Sequence, residues 1–450
     1  MKTAILEKYG EARLPRYTSY PTAPRFTAET GASTYAGWLE HAPADAGASL
    51  YLHIPFCRSM CWYCGCHTTI SKQDQPILDY LDMLRAEIRL VSAVTREPLA
   101  IDHVHFGGGT PTIMQPQEFI GLMGLLREHF SFSSRSEIAV EIDPRTLSRD
   151  MAQALGESGV GRASLGVQSF DPVVQKAINR IQSVEQTAGA VSDLRAAGAA
   201  NINFDLIYGL PHQTVASCID TAEQAMALRP DRFAVFGYAH IPSFKKHQRM
   251  IDEAALPDCH QRDDQAEAIA ATLIAAGYRR IGLDHYALPE DELAQAQESG
   301  TLHRNFQGYT TDACETLIGL GASAIGRMRE GYVQNEVAPG LYAKRIAGGQ
   351  LATAKGYRLT PEDRLRAAII ERLMCDFEAD VPALCASHGF DARLVLTGNA
   401  RLAMLSDDGV IDIDNGIIRV RQEQRFVIRA VAASFDAYLD QSGRTHSKAA

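Results

Sequence analysis

No apolar run in this 450-residue chain approaches the roughly 20 residues that a membrane-spanning helix needs. The best stretch, 268–278, is too short, so no membrane partner is expected. Positive charge is also scarce: 44 Lys and Arg stand against 54 Asp and Glu, a net charge of −10. Nucleic-acid backbones need a positive face, so a general grip on nucleic acid is excluded, whereas a local basic pocket for a small anion is not. The opening MKTAILEKYGEARLPRYTSYPT breaks into charges and prolines after a short apolar stretch, so no secretory signal is expected. The nine cysteines are an odd number, which argues against a disulfide framework. A reducing, cytoplasmic setting follows. No internal repeat, low-complexity tract or coiled coil stands out, and a monomer is expected.

What the chain does have is enough apolar residues, 46%, to bury a full core. After residue 35 a rhythm begins. Apolar segments at 49–54, 102–106, 137–143, 162–168, 201–209 and 232–238 read as strands. Stretches with apolar residues three and four apart follow them, at 77–94, 117–130, 149–158, 171–180, 184–197, 215–228 and 260–276. Such alternation predicts a parallel sheet with helices outside. Helical patterns at 361–376, 390–405 and 424–440, with a hairpin around Asn415-Gly416, predict a small winged-helix-like tail module. Residues 361–414 carry 5 basic and 11 acidic side chains, which speaks against DNA as its partner.

Polar and unusual residues fall at the ends of successive strands: a cysteine loop, Gly107–Gly109, Glu141 with Asp143, Gln168, and Asp205 within the fifth strand. In barrels the carboxyl ends of the strands form one rim, so these groups are expected to share a site.

Four cysteines sit within ten residues, Cys57, Cys61, Cys64 and Cys66. The first three have the spacing C-x3-C-x2-C. Three thiolates on a short loop can hold three irons of a [4Fe–4S] cube and leave the fourth iron open, whereas a cluster built only for electron transfer normally has four Cys ligands. A structural zinc site wants a second knuckle, which the sequence lacks. Cys66 is a conceivable fourth ligand, but one intervening residue strains chelation of the same cube.

This loop, with GGGTPT after the next strand, resembles the radical S-adenosylmethionine (SAM) superfamily. PRYTSYPT (15–22), YLHIPFC with CGC (51–66), FGGGTPT (106–112), EIDPR (141–145), GVQSF (166–170), DLIYGLP (205–211), GYAHIP (237–242) and HRNFQGYTT (303–311) resemble the oxygen-independent coproporphyrinogen III oxidase family. The resemblance implies a partial (β/α)6 TIM-like barrel over 36–355, an N-terminal arm over 1–35 and a C-terminal helical domain over 356–450. It implies a [4Fe–4S] cluster on Cys57, Cys61 and Cys64, and two SAM molecules. Tyr51, Gly108, Glu141 and Ile325 would contact the first, and Tyr63, Gly109, Thr110, Gln168, Arg180, Asp205 and Ala239 the second. Tyr51, Cys66 and Glu141 would take part in catalysis.

The implied reaction turns two propionates of coproporphyrinogen III into vinyl groups in haem synthesis, with an electron donor such as a flavodoxin- or ferredoxin-type protein. Arg16, Lys245, Lys246 and Arg304 are candidate cations for the substrate carboxylates, and Phe244, Phe306 and Tyr309 candidate walls. Two other readings stay open: a haem-binding chaperone of the same superfamily, or a radical SAM enzyme acting on another tetrapyrrole. Cys66 and HRNFQGYTT weigh against the chaperone, whose sequences typically lack both.

Overall fold

The apolar segment at 49–54 becomes β1 (Ala48–Ile54) of a computed structural model, which describes residues 2–10 and 12–439. The five further strands of the rhythm are β2 (Ala100–Gly108), β3 (Ser131–Ile142), β4 (Arg162–Gln168), β5 (Asn201–Tyr208) and β6 (Arg232–Gly237). They lie side by side in chain order, all parallel. The connecting helices start where side chains satisfy the free backbone N–H groups of the first turn. Ser183 with Gln186, and Thr214 with Ser217, form reciprocal caps for helices 184–196 and 215–227.

The sheet has twelve strands, more than the sequence pattern reveals. Beyond β6 it turns antiparallel through β7 (Arg279–Ile281) and β8 (His285–Ala287). A two-stranded ribbon, β9 (His303–Asn305) with β10 (Gly308–Thr310), carries the HRNFQGYTT segment. On the other edge β11 (Thr316–Leu320) pairs parallel with β1, and β12 (Ile325–Met328), β13 (Gly331–Asn335) and β14 (Thr353–Arg358) continue antiparallel. The order is β14-β13-β12-β11-β1-β2-β3-β4-β5-β6-β8-β7.

Strand side chains alternate between faces, so register decides what meets. One face of the parallel strands carries Leu50, Leu52, Val104, Phe106, Val140, Leu165, Phe204 and Leu206, all buried. The other carries Tyr51, His105, Glu141, Ser164, Asn203 and Asp205, aligned by the pairs Tyr51–His105, Glu141–Ser164 and Gly166–Asp205.

The helices depart from the sequence reading in three places, two of them in the tail. The helix expected over 390–405 is two pieces, Arg393–Leu396 and Ala400–Asp407, broken where Gly398 takes φ +72°. The helix expected over 424–440 is a short α-helix, Ile428–Ala432, between 3-10 turns; residue 440 lies outside the described residues. The helix expected over 171–180 ends at Ala177, and Asn179 turns the chain with φ +54°.

Two large apolar cores result. One spans the sheet and its helices, from Tyr35 to Ala352. The other joins the beginning of the chain (Ile5, Leu6, Tyr9, Leu14, Tyr17, Tyr20) to residues 365–435. Tyr9 and Lys8 both donate to Asp408, and Tyr17 Oη donates to Asp436 at 3.1 Å. The N-terminal arm is therefore tied to the C-terminal module, and Leu14, Pro15 and Arg16 reach the cavity described below. Among the described residues no helix is long and apolar enough to cross a membrane.

A buried carboxyl locks helix 75–94 to β11 and β13. Glu87 accepts from Gly321 N (2.6 Å), Asn335 Nδ2 (2.7 Å) and Tyr342 Oη (2.8 Å). Burial outweighs these bonds and lifts its pKa from 4.5 to about 7. The folded protein thus holds a proton that the unfolded chain has lost, and stability falls as pH rises through that window, by roughly 1 kcal/mol per pH unit. Glu87→Gln is expected to remove this part of the slope. Urea midpoints of the two proteins between pH 5 and pH 8 measure it, and parallel curves would contradict it.

Candidate active site

The cysteine loop leaves β1 and is fastened from three sides. Thr69 N donates to Pro55 O (2.7 Å) and Ser71 N to Cys57 O (3.0 Å), which closes the loop on itself. Trp62 N donates to Ile178 O (2.9 Å) and Asn179 Nδ2 to Met60 O (2.8 Å), which ties it to the end of helix 172–177. From the turn after β6, Gln248 Nε2 donates to Tyr63 O (3.0 Å), Lys245 Nζ to Cys66 O (2.9 Å), and His247 Nε2 pairs with Cys64 O (2.7 Å). The nearest signal for these last anchors in the sequence is the run KKH, which reads as solvent-facing charge.

Gly107–Gly109 at the end of β2 pack against this loop. The structure gives a reason for the run. A Cβ at Gly107 would lie 2.8 Å from Glu141 Oε1, at Gly108 2.7 Å from the His53 ring, and at Gly109 2.5 Å from Phe56 O. The glycines make room for the protein's own atoms, and Gly108, Gly109 and Thr110 then face the cavity. Gly108 also has φ +116°, a conformation that favours glycine. Gly108→Ala is expected to cost about 1–3 kcal/mol and lower Tm. A thermal melt matching the unsubstituted protein would contradict this account.

Loop and strand ends enclose a cavity of about 870 Å³. Lining it are Cys57, Cys61, Tyr63, Cys64 and Cys66 from the loop, Gly108, Gly109 and Thr110 from β2, and Glu141, Gln168, Arg180, Asp205 and Ala239 from later units. Two expected residues stand outside this lining. Tyr51 packs behind it, its hydroxyl 3.0 Å from His53 Nδ1 and its ring stacked on His105. Ile325 lies on β12, with its backbone against Gly319, the residue in register with Tyr51.

The two carboxylates differ in environment. Burial opposes ionisation of Glu141, but a bond from His105 Nε2 (3.1 Å) and one from Gly108 N (3.1 Å) outweigh it and hold its pKa below the usual range. Asp205 accepts from Asn203 Nδ2 (2.8 Å) and Ser164 Oγ (3.3 Å), yet burial, reinforced by the Glu141 charge, lifts it to about 7. At neutral pH one is an acceptor and the other is also able to donate.

The three thiols share one cavity wall, but each has its own neighbours. Cys57 Sγ lies 3.3 Å from Thr110 Oγ1. Cys61 Sγ accepts from Arg145 Nη2 (3.5 Å) and Arg180 Nη1 (3.6 Å). Cys64 receives hydrogen bonds from the Cys66 thiol and backbone; these overcome burial and, with His247 and Lys245 nearby, lower its pKa to about 6. Groups of this kind favour the Cys64 thiolate, the form that binds soft metals, whereas burial pushes the Cys57 thiol up. Among the described residues no three His, Cys, Asp or Glu side chains are grouped to hold a single metal ion. Cys57, Cys61 and Cys64 all face one cavity, a set of soft donors that suits an iron–sulfur group.

Arg180 is 5% exposed. Its Nη2 donates to Gly166 O (2.5 Å) and Asp143 Oδ1 (3.4 Å), while its Nε has no hydrogen-bond partner among the described residues. A buried donor left open beside a cavity fits an anionic or polar ligand. Gln168, at φ +69°, closes the same wall where β4 bulges against β5. Asp143 joins this site as its place at a strand end predicts, and Arg145, His105 and Asn203 belong to it although the sequence reading assigned them no role. Asp143 and Arg145 stand within EIDPR, the available signal.

Of the candidate substrate contacts, Lys245 and Phe244 line this cavity, Arg304 and Phe306 line a neighbouring one, and Arg16 lines both. Lys246 lines neither. Tyr309 is not a wall: its hydroxyl donates to Met374 O (2.7 Å) and accepts from Leu283 N (3.0 Å), inside a small core.

Comparison with known proteins adds three findings. A family model of the radical SAM superfamily matches residues 51–225. Oxygen-independent coproporphyrinogen III oxidase of Bradyrhizobium diazoefficiens is 59% identical, with 100% of each chain covered; that of Paracoccus denitrificans is 43% identical over 99% of this chain and 98% of its own. The solved structure of coproporphyrinogen III oxidase from Escherichia coli, described as a radical SAM enzyme, superposes with TM-score 0.90 at 37% identity, covering 95% of this chain and 100% of that one.

Proposed function

The chain belongs to the oxygen-independent coproporphyrinogen III oxidases of the radical SAM superfamily, and from that premise we propose how its residues divide the work. Its reaction is the oxidative decarboxylation of two propionates of coproporphyrinogen III to vinyl groups, giving protoporphyrinogen IX in haem biosynthesis. When bound, a [4Fe–4S] cluster with SAM supplies a one-electron cleavage that yields a carbon radical able to take hydrogen from a propionate.

Cys57, Cys61 and Cys64 are the cluster ligands in this reading. Glu141, kept ionised by His105, accepts from the amino or hydroxyl groups of the first SAM, bordered by Gly108, while Tyr51 and Ile325 stand outside the cavity lining. Arg180 offers its open Nε to the carboxylate of a second SAM, and Asp205 bonds that molecule's hydroxyls as donor or acceptor. Tyr63, Gly109, Thr110, Gln168 and Ala239 complete its walls. Cys66 stands at the exposed mouth, 3.4 Å from Cys64 Sγ through its backbone N, and is left for the substrate step. Leu14 and Pro15 of the arm lie over the cavity and keep water from the reacting atoms.

The supporting observation is convergence: three thiols, two carboxylates of unlike pKa and a buried arginine from four different chain segments meet in one cavity. The same reading has the enzyme working as a monomer in the cytoplasm, reduced by a flavodoxin- or ferredoxin-type protein. Anaerobic reconstitution with iron and sulfide, followed by product analysis, tests it. Protoporphyrinogen is expected; stable haem binding without product, or a methylated tetrapyrrole, would overturn it.

A further inference from the structure

A second cavity, of about 360 Å³, adjoins the first. Arg16, Phe236, Gly237, Tyr238 and Ala239 line both, so the two lie side by side at the end of β6. Its walls combine the sheet, the N-terminal arm and the C-terminal module. Six arginines face it: Arg13, Arg16, Arg262, Arg280, Arg304 and Arg429. Among the described residues three carboxylates, Asp263, Glu267 and Asp284, also line it.

Two of these guanidiniums are buried; for Arg304, which has two nitrogens without a hydrogen bond among the described residues, that burial is costly. The Arg304 side chain is 6% exposed, and Arg429 is 8% exposed. Arg304 lies over the Tyr309 ring, and its Nη1 is 3.9 Å from Asp284 Oδ1, too long for a hydrogen bond. Its Nε and Nη1 make no hydrogen bond among the described residues. Asp284 is already engaged by His285 Nδ1 at 2.8 Å. Burial and the neighbouring Arg16 lower the pKa of Arg429 to about 10, a sign of crowded positive charge. Aromatic side chains, Phe236, Tyr286, Phe306 and Phe426, form the apolar part of the wall.

We propose that this cavity is the subsite for substrate carboxylates that are not reacting, with Arg304, Arg16 and Arg429 as its specificity-determining cations. This rests on the coproporphyrinogen III reading above. A tetrapyrrole carries its carboxylates on arms around one apolar disc. With the reacting propionate in the cysteine cavity, another arm extends past β6 and meets the guanidiniums, whose planar forks match carboxylates. Because Arg16 comes from the arm and Arg429 from the C-terminal module, a seated carboxylate would also tie those segments to the sheet.

The test uses the reconstituted holoenzyme and coproporphyrin III, a fluorescent, non-reacting tetracarboxylate of the same outline. Arg304→Gln and, separately, the exposed Arg16→Gln are expected to weaken its binding about tenfold or more. The KM for coproporphyrinogen III should rise by a similar factor, with a smaller change in kcat. Arg304→Lys should recover part of the affinity. The tetramethyl ester of coproporphyrin III, which has no anions, should bind all these proteins alike. Unchanged coproporphyrin III affinity in both glutamine variants, with unchanged KM, would overturn the arginine subsite. An equal loss of affinity for the ester would overturn it too, by showing a general structural defect. Turnover by the unsubstituted enzyme tests the functional reading separately, so the two failures are distinguishable.

Discussion

Serine at position 57, 61 or 64 is expected to leave a protein that binds almost no iron and forms no protoporphyrinogen. A hydroxyl is a poor ligand for a soft metal, and a three-thiol set has no spare member. The fold itself should survive, because the loop backbone is held independently of the thiols: Thr69 N donates to Pro55 O, Trp62 N to Ile178 O, and Asn179 Nδ2 to Met60 O. Cys66→Ser is expected to keep iron near the unsubstituted level while losing turnover. Cys66 is exposed, and its contact with Cys64 comes from its backbone as well as its thiol. Iron and sulfide analysis after anaerobic reconstitution measures all four. Loss of iron in Cys66→Ser, together with retention in Cys57→Ser, would reverse the ligand assignment.

Arg180→Ala carries the second large effect. The substitution removes a charge-assisted contact worth about 1.5–3 kcal/mol to an anionic ligand, or roughly a ten- to hundredfold loss of affinity. Asp143 would not be stranded, because Arg145 Nη2 donates to it at 2.6 Å. The first SAM, anchored elsewhere, should still be bound and cleaved, while product formation drops. Equilibrium dialysis is expected to find two SAM molecules per unsubstituted chain and about one in the variant. Unchanged stoichiometry with full product formation would remove Arg180 from the site.

The parallel half of the sheet was legible because each strand and helix announces itself locally. RASLGVQ and PEDRLRAAIIERLMCD coincide with β4 and helix 361–376 as the periodicity reads them. Strands β11–β14 were not legible: they are short, rich in glycine, and joined to β1 by a pairing between residues 48–52 and 316–320 that no local pattern encodes. The same distinction runs through the site. The cysteine spacing and the acidic strand ends carry their chemistry in the sequence. His105, Asn203 and Arg145 matter because register turns them toward Glu141, Asp205 and Cys61. Tyr309 misled for the converse reason: an aromatic in a polar segment reads as a cavity wall until its hydroxyl is seen bonded to Met374 O, far along the chain. The glycine run was found for its spacing, but its purpose, clearance for Glu141, His53 and Phe56, needed coordinates.

The central claim is that this cavity takes a hydrogen from a propionate side chain. Coproporphyrinogen III deuterated at the propionate β-carbons, incubated anaerobically with the reduced holoenzyme and SAM, tests that claim most directly. Deuterium should appear in the 5′-deoxyadenosine released as the vinyl groups form. Vinyl product accompanied by unlabelled 5′-deoxyadenosine would contradict the account.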